Sequence, residues 1–329
     1  MASRSSINPV VYVVIAVLLW STGGLFIKLT TLDAYQVTFF RSLLAAITVL
    51  VVTRKQGLRI NAFGIMCTVI YATLLFLFVW ATKHGTAANA IFLQYTAPIY
   101  ILILAPFVIG EKFQWKDLIT VIFCVGGMSL FFVGKLDASA YQANIAALAS
   151  GIFLGLYIML LRHPKAVGTE AASLPVSAVD NERAAQGSPP YEGGVAAASA
   201  DRVLVSENSP QPINPVITVI YGNFLLALVT LPNGIAAMPT MTLKDVGAVT
   251  FLGIFQIGLS YILFIKGVHG GTRPLDASII GFIEPLLNPV WVFLFVGEQP
   301  SGWALIGGVI IIATVAVHTL TQYRLIRTA

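Results

Sequence analysis

The sequence predicts an all-α membrane protein of ten transmembrane helices, arranged as two inverted five-helix repeats with both termini in the cytoplasm. Three observations predict it. Hydrophobic residues make up 57% of the chain and charged residues 10%, where a soluble chain averages about 25% charged; mean hydropathy is +0.86. The apolar residues gather into runs of the length that crosses a hydrocarbon core, about 20 residues. Two segments also match at a fixed distance. One runs from Leu93-Gln-Tyr-Thr-Ala-Pro98 to Gly110-Glu111, the other from Ile280-Gly-Phe-Ile-Glu-Pro285 to Gly297-Glu298, and 285 − 98, 297 − 110 and 298 − 111 all equal 187.

The ten predicted spans are 10–28, 35–53, 62–82, 87–109, 115–134, 141–161, 214–232, 245–266, 275–297 and 302–321. Each is apolar on all faces and several are rich in Gly, which fits helices rather than the alternation of barrel strands. The first span follows Arg4, as a signal peptide would, but it is too long for an h-region and no small-residue cleavage site follows it, so it is expected to be a retained helix. Cys67 and Cys124 fall inside spans and read as small packing residues, with no disulfide framework or metal spacing.

Charge sets the orientation. Of the 19 Lys and Arg, 14 fall on one side of these spans and five (Lys28, Arg41, Lys83, Lys135 and Lys244) on the other. Dropping Arg183 and Arg202, which lie in a long loop, leaves 12 against five. The positive-inside rule then puts both termini in the cytoplasm. It also accounts for a pI of about 9.2 without nucleic acid, for which no basic cluster is present. The matching segments are the fourth and ninth spans. They lie an odd number of spans apart, so the two copies cross in opposite directions. The first repeat is 1–134 and the second 141–329, the latter interrupted by a polar, small-residue insertion at 162–213 that reads as a disordered cytoplasmic linker.

Several residues carry a family resemblance. In the first half they are Ala87, Ala90, Leu93, Pro98 and Gly110-Glu111. In the second they are Ala277, Glu284-Pro285 and Gly297-Glu298, and the stretch from Asn144 to Gly151, with Tyr157 and Arg162, opens the sixth span in the same manner. Together they resemble the EamA family of the drug/metabolite transporter superfamily, over the whole chain except the insertion. The resemblance implies a carrier in the cell membrane, often an exporter of amino acids or other small metabolites.

Candidate site residues follow from polarity inside the membrane. Glu284 lies well within the ninth span, where a charge costs about 2.5–3.5 kcal/mol or more on insertion scales. It reads as a substrate contact, a proton carrier, or a carboxylate paired across helices. Pro285 and Pro289 lack an N–H and are expected to free backbone carbonyls a turn earlier. Arg41 is either a snorkelling or ion-paired side chain or a fork for a substrate carboxylate. Gln94 and Tyr95 precede Pro98 and offer oriented hydrogen bonds, to a ligand or to a neighbouring helix. Among the aromatics, Trp20, followed by Ser21-Thr-Gly-Gly24, is the best candidate cavity wall, with Tyr261 beside it in the candidate set; belt and packing roles are the alternative. Asn223 and Gln256 are mid-span polar groups that fit packing bonds, and Asn223 is kept as a candidate contact. Gly151 and Gly155 fit close helix contact within the monomer, and Glu111 and Glu298 read as structural.

No catalytic residue, metal ligand or cofactor site is assigned. His84, His163 and His269 lie at loop edges and His318 stands alone in the last span, so an embedded enzyme lacks its constellation. A channel or receptor is the other alternative, without a visible selectivity ring. The expected partners are a small-molecule solute, protons as a second candidate, and the bilayer. With both a basic residue, Arg41, and an acidic one, Glu284, inside the membrane, a zwitterion such as an amino acid fits. The repeat is broken at one place: 284 − 187 is 97, and Ala97 stands where its mate is Glu284.

Overall fold

Short polar side chains and prolines set where the helices begin. Asp33 and Gln36 form a reciprocal capping box, Asn61 accepts from the Gly64 N–H at 2.8 Å, Thr86 accepts from the Asn89 N–H at 3.0 Å, and Thr242 pairs with Asp245 in a second box. Each such cap contributes about 1 kcal/mol. The computed structural model describes residues 8–54, 58–131, 133, 140–163, 214–296 and 302–328. Most of the expected linker, with Lys135, Gly297 and Glu298, lies outside them.

All regular structure among the described residues is helical. The first half holds α1 (Pro9–Trp20), α2 (Gly23–Leu29), α3 (Ala34–Thr53), α4 (Ala62–His84), α5 (Ala87–Gln94), α6 (Ala97–Val108) and α7 (Trp115–Phe131). Next come α8 (Tyr141–Leu160), α9 (Val216–Val229), α10 (Leu231–Ala237) and α11 (Leu243–Phe251). A π-helical stretch (Leu252–Leu259) joins α11 to α12 (Ser260–His269), followed by α13 (Pro274–Ile280), α14 (Ile283–Val296) and α15 (Gly302–Thr328). Six helical units are long and apolar enough to cross a membrane, and the pair Val216–Val229 and Leu231–Thr240, bent by 65°, makes a seventh if taken as one span. The chain is an integral membrane protein.

Besides the bend at Thr230 in the seventh, the expected regular spans are corrected in the first, fourth, eighth and ninth. The first breaks at Ser21-Thr22, whose hydroxyls donate to the carbonyls of Leu18 and Leu19 at 2.7 Å each and compete with the helix ladder. The fourth breaks at Tyr95-Thr96, just before Pro98, and the ninth at Gly281-Phe282, just before Pro285; each proline removes one N–H from the ladder. These two breaks are matched: α6 begins at 97 and α14 at 283, with Pro98 and Pro285 still 187 apart. The eighth is continuous but widened to π geometry over eight residues.

Packing gathers the irregular pieces. α3 lies against α9 and the π-helical stretch, α1 against α12, α4 along α8, and α7 beside α15. In lipid, helices associate through close packing and small residues rather than through the hydrophobic effect. Gly151 and Gly155 of α8 illustrate this. A Cβ at Gly151 would sit 2.7 Å from the Gln94 carbonyl and 2.9 Å from that of Leu93, and one at Gly155 would sit 3.0 Å from that of Ala97. The pair lets α8 reach the backbone of the α5–α6 break within one chain.

Gly151→Ala is expected to cost about 1–3 kcal/mol by overpacking, read as earlier thermal unfolding in detergent. Gly126→Ala is the control, since a Cβ there meets nothing within 4 Å, and it is expected to be neutral or slightly stabilising.

Candidate functional site

The backbone interruptions converge. Trp20 ends α1 at its break, Gln94 and Tyr95 form the α5–α6 break, Gln256 sits in the π-helical stretch, and Glu284 opens α14 after its break. With Arg41 of α3, Tyr261 of α12 and apolar groups from α4 and α8, including Leu74, Phe78 and Leu154, they line one internal cavity. Its volume is about 30 Å³, room for a water or two, and far less than the roughly 300 Å³ or more of a metabolite pocket. This conformation therefore has to widen to take a solute.

Most polar groups of the lining are paired across the bundle. The Tyr95 hydroxyl donates to Glu284 Oε2 at 2.7 Å. Gln94 Nε2 donates to Ser150 Oγ at 2.7 Å, and the Ser150 hydroxyl donates to the Leu74 carbonyl at 3.0 Å. Trp20 Nε1 donates to Ser260 Oγ at 2.7 Å, and that hydroxyl donates to the Gln256 carbonyl. Trp20 also packs on Tyr261 and Phe264 with ring centroids 4.8 and 4.7 Å apart, which fixes one aromatic wall.

Two groups are left short. Arg41 is fully buried, and its one hydrogen bond runs from Nη2 to the Leu75 carbonyl at a long 3.3 Å. Its Nε and Nη1 have no partner among the described residues, nor has Gln256 Oε1. A buried guanidinium with most of its donors unused costs several kcal/mol. Arg41 does not snorkel; it points its charge inward. Glu284 offers no ion pair to it within 4.0 Å among the described residues, being held by Tyr95 instead.

Of the seven candidates, Glu284, Gln94, Arg41, Trp20, Tyr95 and Tyr261 share this cavity. Asn223 does not line it. Fully buried on α9, it donates to the Tyr71 hydroxyl at 3.0 Å and to the Val219 carbonyl at 2.8 Å. Tyr71 in turn meets Tyr261 edge-on at 4.9 Å, so Asn223 supports the wall from behind. Gln256, for which the sequence favours packing bonds over a ligand contact, also lines the cavity; its mid-span position is visible in the sequence but its facing is not. The expected free carbonyl before Pro285 is also corrected: the Gly281 carbonyl accepts from the Glu284 N–H at 2.9 Å. His318 is not alone, since Nε2 lies 2.8 Å from Asp276 Oδ1 and Nδ1 lies 3.3 Å from Thr120 Oγ1. No group of three potential metal ligands occurs among the described residues.

The EamA-like transporter family matches residues 8–133 and again 196–320. The chain belongs to the EamA-like transporter family. Its two matched segments account for most of the sequence and carry the family's signature twice. Among solved structures, one described only as a crystal structure of a protein is similar with a TM-score of 0.66 and 17% identity, covering 97% of this EamA chain and 99% of that one. That likeness supports the fold. No curated protein matches the sequence.

Tyr95→Phe removes the hydroxyl that donates to the Glu284 carboxyl. It is expected to destabilise the EamA protein by about 1–3 kcal/mol, seen as a lower midpoint of thermal unfolding.

Proposed function

We propose that this EamA-family protein is a secondary transporter that exports a small polar metabolite bearing a carboxylate, an amino acid or related compound, across the cell membrane by alternating access. The observation that carries the reading is Arg41, which borders the cavity and whose Nε and Nη1 have no partner among the described residues. A planar fork of that kind suits a carboxylate, which would accept two parallel charge-assisted bonds. Gln256 Oε1 and the Glu284 carboxyl supply acceptors for an ammonium or hydroxyl group of the same solute. Gln94 and Tyr95 orient the polar side of the site, and Trp20 and Tyr261 form its apolar wall.

The carrier would have ten spans in two inverted repeats, with both termini in the cytoplasm and the repeats rocking around the cavity. The fixed offset of 187 between Pro98 and Pro285, and the matched breaks beside them, support the repeat. A space for one or two waters favours a carrier that opens to one side at a time over a continuous pore. Glu284 is the candidate proton carrier.

Purified protein screened by thermal shift against metabolites tests the substrate class. A true ligand at 100 times its Kd adds about 2.7 kcal/mol. Arg41→Leu is expected to raise the unfolding midpoint without ligand, because it removes a buried, under-partnered charge, and to abolish the ligand shift and solute counterflow in liposomes. A shift that survives Arg41→Leu means that the carboxylate binds elsewhere. Glu284→Gln separately tests proton coupling: transport by the variant is expected to lose its dependence on pH, and an unaltered pH profile removes Glu284 from that role.

A further inference from the structure

The largest charged cluster among the described residues is not at the cavity. It lies where the α6–α7 connection meets the α12–α13 turn, at the end of the bundle that also holds Pro9, whose carbonyl would lie 2.8 Å from a Cβ at Gly267. Arg273 is its centre. Nη2 contacts Asp117 Oδ2 at 2.8 Å, Nε lies 3.7 Å from Glu111 Oε2, and Nη1 lies 3.7 Å from Asp276 Oδ1. Asp276 continues to His318 at 2.8 Å. Asp117 is 1% exposed and Arg273 23% exposed, so water screens the cluster only in part. Burial alone would pull the Arg273 guanidinium down; Asp276, Asp117 and Glu111 more than offset it and leave it above its usual range.

Two features make this more than a surface ion pair. First, it joins the halves: Glu111 and Asp117 belong to the first family match, and Arg273, Asp276 and His318 to the second. Second, its arginine has no charged counterpart: of the mates at the fixed offset of 187, only Glu298, which matches Glu111, carries a charge. Subtracting 187 from 273 and 276 gives Thr86 and Asn89, and adding it to 117 gives Ala304. Thr86 caps α5, and Asn89 bonds Asn144 at 2.8 Å. So these equivalent positions are neutral.

The cluster also shares its helices with the cavity. α6 runs from the Tyr95 break toward Glu111, and α13 runs from Arg273 toward the break before Glu284. The two helices touch. The two broken spans that hold α6 and α13 are therefore linked twice: by Tyr95, just before α6, to Glu284 of α14 at the cavity, and at the bundle end by Arg273, just before α13, to Glu111 in the α6–α7 connection and Asp117 of α7. Between Arg273 and Glu284 lie about three turns of chain, on the order of 15 Å. Opening a path from the cavity to that end requires α6 and α13 to part, and the parting breaks the ionic pin.

We propose that the Arg273–Asp117–Glu111 cluster is the latch that holds the Pro9 end of the carrier shut, the end that charge counting makes cytoplasmic. The proposal rests on the carrier reading above and assigns one gate within it. Because the mate of Arg273 is the neutral Thr86, the equivalent set lacks its cation, so the two gates differ in strength, and the latch sets which way the empty protein faces.

The test uses the full chain with Cys67 and Cys124 replaced by alanine and one reporter at a time, Ala105→Cys beneath the cluster or Ala34→Cys at the start of α3, both buried in this conformation. Maleimide labelling of each reporter is measured in purified protein. Arg273→Gln is expected to raise labelling at 105 by at least about fivefold, the lower end of usual two-site couplings, and to leave labelling at 34 unchanged or lower. The charge exchange R273D with D117R is expected to bring labelling at 105 back toward the parent level. Labelling at 105 that does not rise in Arg273→Gln overturns the proposal. So does an equal rise at both reporters, which is general loosening, or an exchange variant that labels as Arg273→Gln does. Solute counterflow by the parent protein is measured in parallel. Its absence alongside the expected labelling pattern refutes the carrier reading and leaves the ionic clasp standing.

Discussion

A guanidinium that cannot leave and is not fully met is the constraint on which this protein turns. Arg41 lies within α3, with no exposed surface and one long bond to the Leu75 carbonyl. In a hydrocarbon environment such a group is tolerated only where the surroundings are polar or become so. The rest of the site answers that demand. Helix breaks bring polar side chains inward, and Gln94, Tyr95, Gln256 and Glu284 come from three separate places in the chain to border the same small space. An apolar bundle with intact helices would offer none of them.

The broken helices depend in turn on local chemistry. Ser21 and Thr22 divert their hydroxyls to carbonyls of the preceding turn, while Pro98 and Pro285 withhold an N–H. Each costs some helix stability, and each is offset by packing. Gly151 lets α8 cover the carbonyls near Tyr95 at a distance no Cβ would permit. Ser260 bridges Trp20 to the π-helical stretch across 240 residues of sequence. Irregularity in the helices therefore gathers at the cavity, and the surrounding helices pack around it.

Much of the site was legible in the sequence, because polarity within a membrane span is scarce and costly. Arg41 and Glu284 stood out for that reason alone, and Trp20 stood out by preceding a Ser-Thr-Gly-Gly run. The helical units were legible from hydropathy, though not their interruptions: Ser21-Thr22 and Gly281-Phe282 are too apolar or too brief to disturb a twenty-residue average. Facing was the other gap. Asn223 and Gln256 are both mid-span amides, and nothing in a span that is apolar all round says which one looks inward; one borders the cavity and the other props Tyr71. His318 looked solitary because its partners, Asp276 and Thr120, are 42 and 198 residues away and join it only through tertiary packing.

The stretch Leu252–Leu259 has a consequence for how such proteins can diverge. A π-helix holds more residues in each hydrogen-bonded ring than an α-helix, so a span containing one carries surplus chain within the same membrane thickness. Loss or gain of a single residue there would turn everything beyond it by about 100°. Tyr261 and Phe264 would swing away from Trp20, and other side chains of the same helix would take their place on the wall. Hydropathy would hardly change and the span would still insert. Chain length within this one segment is thus a dial on which side chains line the cavity, open to evolution by deletion as readily as by substitution.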